Sequence, residues 1–168
     1  MREVYRAVVA GDRASLCELL RTHEGLLEGE TPFGSLLHVA ASHGHVELVR
    51  ELVQLGISPN RRGGTFKGAP INVAASHGQR EVVQLLLDLG AELDVSEPER
   101  NPLFSAVHAG DLQIVRALVE SGIDFRVRYS GASMQDMSAA DFAEERGQMA
   151  IAEYLRTLEG GAPRAHSA

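Results

Sequence analysis

Cysteine is nearly absent from this sequence. Cys17 stands alone among 168 residues, so no disulfide can form within the chain. A lone thiol is typical of proteins that work in a reducing cytoplasm. No apolar run approaches the roughly 18 residues that a membrane span requires, and residues 1–6 do not resemble a secretion signal. We therefore predict a cytoplasmic protein that does not bind membranes.

Lysine is equally scarce, because Lys67 is the only lysine and the other basic residues are all arginine. This bias is typical of G+C-rich genomes and leads us to expect a bacterial source. The formal net charge is −7. Nonspecific binding to nucleic acid requires a basic face, so we predict that the chain does not bind nucleic acid. An acidic chain is suited to a basic partner, although solubility explains the charge equally well.

Recognisable motifs for catalysis and for metal binding are also missing. His43 and His45 flank a glycine, but no cysteine or carboxylate cluster completes the ligands of a metal site. The Gly63-Gly64 pair lacks the lysine and hydroxyl residue of a phosphate-binding loop. No nucleophile motif of the G-x-S-x-G type occurs. We therefore predict no enzyme activity, no metal and no cofactor.

What the chain does contain is repetition. The segment 35–49 returns as residues 69–83 and again as residues 101–115. Five glycines follow a helix-like stretch at intervals of 33, 34, 32 and 37 residues. They are Gly11, Gly44, Gly78, Gly110 and Gly147. A period near 33 indicates one supersecondary unit that is stacked several times.

These segments resemble the ankyrin repeat, whose signature T-P-L-H-x-A opens a helix that is followed by Gly-His and a second helix. The resemblance covers about residues 4–158 and implies an all-α solenoid of helix-turn-helix units with β-turn fingers. We expect a single domain over residues 1–159, with a Gly/Ala/Pro-rich disordered tail at residues 160–168. The approximate repeats are 1–30, 31–67, 68–99, 100–134 and 135–159, of which the first and last are degenerate caps.

Several positions depart from the family signature. His38 occupies the motif histidine, where the family uses it to bond adjacent loops, but Asn72 and Phe104 replace it in the next two repeats. We expect Asn72 to bond neighbouring backbone and Phe104 to pack against the following repeat. Ser138 and Asp141 have the spacing of a capping box at the start of the fifth repeat.

The resemblance also indicates a column of groove residues. In the family, the two positions before the turn glycine face the concave side of the solenoid. Here these pairs are Val9-Ala10, Ser42-His43, Ser76-His77, His108-Ala109 and Glu145-Arg146. Solvated polar filler explains any one of them, but their alignment favours a binding surface. The candidate contacts are Ser42, His43, Ser76, His77, His108 and Arg146.

The fingers between repeats provide further candidates. The finger at residues 61–68 is basic, and the next one, at residues 92–99, is acidic. About four extra residues fall within residues 125–135, where we expect Tyr129 to point outward as an interface hot spot. Phe125 aligns with Leu93 and is the exception that we expect in the core. The candidate contacts on the fingers are Arg61, Arg62, Phe66, Lys67, Glu97, Glu99, Arg100, Arg126, Arg128 and Tyr129.

The function that the resemblance implies is binding to one partner protein, by a chain that is monomeric without that partner. Small ankyrin proteins of bacteria include immunity proteins that neutralise a toxin, so we expect a stoichiometric inhibitor of a basic toxin or enzyme. The alternative is a nonenzymatic scaffold or regulator of a housekeeping enzyme or kinase. Ankyrin repeats bind many different partners, so both interpretations stay open at this point.

Overall fold

In the computed structural model, which describes residues 1–23, 25–65, 67–131 and 134–160, the chain forms five consecutive pairs of α-helices. They are α1 (Arg2–Ala10), α2 (Arg13–Thr22), α3 (Leu36–Ser42), α4 (Val46–Gln54), α5 (Pro70–Ser76), α6 (Arg80–Asp88), α7 (Pro102–Ala109), α8 (Leu112–Glu120), α9 (Ala139–Glu145) and α10 (Met149–Leu158). The predicted all-α solenoid is confirmed. The exact domain and repeat limits stay predictions, and residues 161–168 lie outside the described residues.

A glycine joins the two helices of every pair. All five turn glycines have a positive φ between 68° and 74°, a conformation that side chains other than glycine rarely tolerate. At Gly44 a side chain would be doubly unfavourable, because a Cβ atom there would collide with the Gln79 side chain of the next repeat. The turn glycines therefore allow both the tight reversal within one unit and the close approach of the next.

The first helices of the pairs form one layer and the second helices form another. In the inner layer, α1, α3, α5, α7 and α9 pack in sequence, and in the outer layer α4, α6, α8 and α10 do the same. An alanine lies four residues before each turn glycine, and Ala40, Ala74 and Ala106 have no exposed surface. These small side chains let the inner helices approach closely.

The outer helices complete the core with larger side chains. Leu52 of α4, Leu86 of α6 and Leu118 of α8 are fully buried, while the opposite sides of these helices are polar. This amphipathic pattern fixes which face of each helix meets the inner layer. None of the helices in the part of the chain that the structure describes is long and apolar enough to cross a membrane.

The fingers project from the N-terminal ends of the inner helices. The finger before α3 is a short antiparallel hairpin of β1 (Glu30–Thr31) and β2 (Gly34–Ser35), in which Glu30 pairs with Ser35. Single bridges close the fingers before α5, between Gly63 and Gly68, and before α9, between Tyr129 and Met137. The finger before α7 ends in a single 3-10 turn at Pro98–Arg100. These four fingers stand side by side along one edge of the helix layers.

Candidate functional site

Hydrogen bonds from buried polar side chains join each finger to the next one. His38 Nδ1 accepts a hydrogen bond from the Ser35 N–H at 3.2 Å, and His38 Nε2 donates to the Gly68 carbonyl at 3.1 Å. Burial lowers the pKa of His38, although the bond to Gly68 opposes this shift. The ring is therefore neutral, with its proton on Nε2.

Asn72 makes the equivalent pair of hydrogen bonds one repeat later. Its Oδ1 accepts from the Ala69 N–H at 3.1 Å, and its Nδ2 donates to the Arg100 carbonyl at 2.7 Å. One acceptor and one donor at the ends of a short side chain reproduce the neutral histidine of the preceding repeat. The expected bonding of Asn72 to neighbouring backbone is confirmed.

The Phe104 side chain has no polar atoms, and a hydrogen bond from Tyr129 replaces the one that Phe104 cannot make. Its ring stacks on Phe142 at 5.3 Å and meets the edge of Tyr129 at 5.1 Å, so the expected packing against the next repeat is confirmed. The Tyr129 hydroxyl donates to the Val95 carbonyl at 2.7 Å and accepts from Asn101 Nδ2 at 3.0 Å.

The prediction that Tyr129 is an exposed hot spot is therefore wrong. Only 9% of its surface is accessible, and burial raises the pKa of its hydroxyl. The physical reason is that Phe104 cannot make the hydrogen bond between the fingers before α7 and α9, and the Tyr129 hydroxyl makes it instead. Tyr129 supports the last finger from inside and leaves the set of candidate contacts.

Most of the candidate arginines of the fingers are held in ion pairs within the chain. Arg61 lies between Glu28, at 2.7 Å, and Glu30, at 2.9 Å. Arg62 contacts Asp94 at 2.6 Å. The basic finger is thus largely neutralised by its two neighbours. Its arginines join the fingers into one surface, and a partner would meet their outer edges.

The next two arginines behave in the same way. Arg100 bonds Glu97 at 2.5 Å. Arg128 pairs with Asp136 at 3.0 Å and with Asp141 at 2.8 Å. Unlike the pairs of Arg61 and Arg62, these ion pairs lie within a single finger or between a finger and the helix that follows it.

The remaining charged candidates are more available. Lys67 is exposed at the tip of its finger and has no ion pair among the described residues. Arg126 is exposed and lies over the Phe125 ring at 4.5 Å, and Arg146 lies over Phe142 at 5.4 Å. Phe125 itself is half-buried against the core. The candidate Phe66 lies outside the described residues.

Between the fingers and the inner helices runs a groove of about 640 Å³. Six of the residues predicted from the sequence line it, namely Ser42, His43, Ser76, His77, Glu99 and His108. Five of the six candidates of the column therefore line one groove, and Arg146 is not among its lining residues. Whether a partner contacts these residues stays a prediction, but their alignment in one groove supports it.

The aromatic side chains at the two ends of this groove were not predicted from the sequence. Phe33, at the tip of the β1–β2 hairpin, is 63% exposed and stacks on Tyr5 at 6.1 Å. Phe142 and Met134 line the other end. An aromatic within a finger is the signal that could have identified Phe33, because protein–protein interfaces are enriched in aromatic residues.

The histidines of the groove have a fixed geometry. His43 Nδ1 lies 3.0 Å from the Val39 carbonyl oxygen, and His77 Nδ1 lies 2.9 Å from the Val73 carbonyl oxygen. In each case the preceding serine hydroxyl bonds the same carbonyl. No group of three potential metal ligands forms among the described residues.

A row of helix pairs with locked fingers and one long groove defines a repeat solenoid of the kind that binds other proteins. The family model for ankyrin repeats, in three copies, matches residues 4–97 and 71–162. The chain belongs to the ankyrin-repeat family. It is also similar to cyclin-dependent kinase 4 inhibitor B of Bos taurus, with 36% identity over 123 residues, which cover 72% of this chain and 89% of the relative. The chain is thus a protein–protein binding module.

Proposed function

We propose that this protein is a nonenzymatic, stoichiometric inhibitor that holds one partner protein in its groove and against its fingers. The observation that carries the proposal is the preorganised groove, which has exposed polar side chains on its helical wall and aromatic side chains at both ends. A surface that is rigid before binding loses less conformational entropy when the partner docks. The cross-linked fingers supply that rigidity.

A protein kinase is the partner class that the similarity favours. The bovine relative is named as an inhibitor of a cyclin-dependent kinase, and the match extends over most of that chain. Among the functions expected from the sequence, this supports the regulator of a kinase over the neutraliser of a bacterial toxin. The toxin hypothesis rests on the resemblance to small bacterial ankyrin proteins and on the net charge of −7. The bacterial source and the cytoplasmic location stay predictions.

The direct test is titration of purified cyclin-dependent kinase 4, and of the kinases encoded by the source genome, with this protein. We expect one kinase to form a one-to-one complex in calorimetry, with its activity falling in proportion to the inhibitor added. If no kinase binds and a basic toxin from the same genome does, the toxin hypothesis replaces the kinase hypothesis.

The affinities of two variants for the partner test whether the binding site lies in the groove. Phe33→Ala removes an exposed aromatic at one end of the groove and is expected to weaken the complex about 30-fold, as typical of an interface hot spot. Glu120→Ala, on the exposed side of α8, is the matched control and should leave affinity unchanged. Equal affinities of both variants and the parent would move the binding site away from the groove.

A further inference from the structure

His43 and His77, in the groove, differ from His38 and His45 in the position of the proton on the ring. A carbonyl oxygen only accepts hydrogen bonds, so a ring nitrogen within 3.0 Å of one must carry the hydrogen. His43 Nδ1 and His77 Nδ1 both lie at such a distance from the carbonyl oxygen four residues earlier. The Ser42 and Ser76 hydroxyl oxygens also lie 2.9 Å and 3.1 Å from these nitrogens, but each hydroxyl donates its hydrogen to the same carbonyl. A ring with the proton on Nε2 would therefore bring the lone pairs of Nδ1 and of the carbonyl oxygen together. In the neutral ring, Nε2 is then a free acceptor.

His38 and His45 have the opposite arrangement. His38 Nε2 donates to the Gly68 carbonyl, and His45 Nε2 lies 2.9 Å from the carbonyl oxygen of Val9. Both therefore carry the proton on Nε2 and direct their bonds into the protein. Their bonds join neighbouring repeats. Two pairs of histidines in one chain thus have different tautomers, and the pair in the groove keeps its acceptor nitrogen unused.

His43 and His77 therefore each present an acceptor to the groove. The serine hydroxyls beside both histidines already bond backbone carbonyls. Glu99 is exposed and is the one charged residue among the described residues that line the groove. The groove is thus lined by two acceptor nitrogens one repeat apart, by the imidazole of His108 and by one carboxylate. Apolar surface from Phe33, Phe104 and Phe142 separates and flanks them.

We infer that the groove binds an extended segment of its partner in which arginine or lysine side chains alternate with apolar ones, the cationic N–H groups bonding His43 Nε2, His77 Nε2 and the Glu99 carboxylate. This inference rests on the proposed function only in taking the groove as the partner site. Charge complementarity selects the basic segment, since the lining carries one negative charge and the whole chain carries −7. An acidic segment would find no unpaired donor on these side chains.

The tautomers can be measured without any partner. In the intact protein at pH 8, long-range proton–nitrogen NMR correlations distinguish the two ring nitrogens of each histidine. We expect the proton on Nδ1 in His43 and His77, and on Nε2 in His38 and His45, which act as internal controls. A proton on Nε2 in both His43 and His77 would overturn the inference, because the acceptor would then be absent.

The ligand class is tested with fluorescent eight-residue peptides that alternate leucine with arginine, glutamine or glutamate. We expect the arginine peptide to bind at least tenfold more tightly than the glutamine peptide, as charged hydrogen bonds contribute more than neutral ones. The glutamate peptide should bind most weakly. Equal binding of the arginine and glutamine peptides would overturn the inference.

Two variants separate this recognition from general attraction to an acidic protein. His43→Leu/His77→Leu leaves the net charge unchanged at pH 8 and should reduce binding of the arginine peptide about tenfold. Glu47→Gln/Glu81→Gln removes two exposed negative charges on the outer helices and should reduce it far less. The opposite order would show nonspecific attraction. If a kinase binds in the groove but the peptides do not bind, this inference alone is wrong. If the peptides bind but no kinase does, the proposed function alone is wrong.

Discussion

His38 and Asn72 occupy equivalent positions in consecutive repeats and make the same pair of bonds with different chemistry. Each accepts from the backbone N–H three residues earlier and donates to a carbonyl in the following finger. The amide of Asn72 does this at any pH. The imidazole of His38 does it only when neutral, because protonation of Nδ1 would place a hydrogen against the Ser35 N–H.

This difference makes stability depend on pH through His38. Burial lowers its pKa from 6.5 in the folded state, so the unfolded chain takes up a proton first as the pH falls. Stability from this residue is complete above about pH 6.5 and declines as the pH falls toward the lowered folded value. We predict that His38→Asn abolishes this decline, as measured by urea unfolding at pH 7.5 and 5.5. The control is the exposed His23→Asn, and an unchanged decline in the His38 variant would contradict the prediction.

Helix α9 shows how a single element is anchored at the end of the solenoid. The Asp141 N–H donates to the Ser138 hydroxyl oxygen, and the Asp141 carboxylate accepts from the Ser138 N–H at 3.0 Å, which confirms the predicted capping box. Arg128 and Arg156 also contact this carboxylate. One side chain thus joins the cap of α9 to the last finger and to α10.

Asp141 makes the anchoring of α9 sensitive to acid. Burial raises the pKa of its carboxyl, but the bonds from Ser138 and the neighbouring arginines outweigh burial and lower it from 3.8 to about 2. The stabilisation is present above about pH 4 and is lost as the pH falls toward 2. We predict that Asp141→Asn lowers the free energy of unfolding at pH 7 by about 1–2 kcal/mol, after allowing for solvent screening.

The measurement is thermal unfolding of parent and Asp141→Asn between pH 7 and pH 2. The difference between them should shrink as the parent loses its carboxylate. Asp124→Asn, an exposed aspartate in the same stretch of chain, serves as the control and should behave like the parent. A difference that stays constant down to pH 2 would show that the carboxylate charge does not stabilise α9.

At the scale of the whole molecule, the repeat period made the fold and the groove predictable. The regular glycines and alanines report the turns and the inner contacts, because those positions admit only small residues. The ion pairs between neighbouring fingers were not predicted, since their partners are distant in sequence. Arg61 and Glu28 are 33 residues apart, and Arg62 and Asp94 are 32 apart. That separation is itself about one period, so comparing charges one period apart is the signal that would have found them.

The same stacking determines how a destabilising substitution in one repeat affects the rest of the solenoid. Each repeat contacts only its neighbours, so a defect in a central repeat disturbs two interfaces, whereas a defect in a terminal repeat disturbs one. Ala74 lies on α5 between α3 and α7 and has no exposed surface, and Ala7 is the equivalent residue of α1, which packs on α3 alone within the inner layer. Leucine at either position adds volume where helices touch.

We therefore predict that Ala74→Leu lowers the free energy of unfolding by about 1–3 kcal/mol, in the range of overpacked cores, and that Ala7→Leu lowers it by less. Urea unfolding followed by circular dichroism measures both values. Ala150→Leu, at an exposed position of α10, controls for the added side chain itself and should leave stability nearly unchanged. If Ala74→Leu and Ala7→Leu were equally harmful, the cost would be local to each helix, and coupling between adjacent repeats would not account for the stability of the stack.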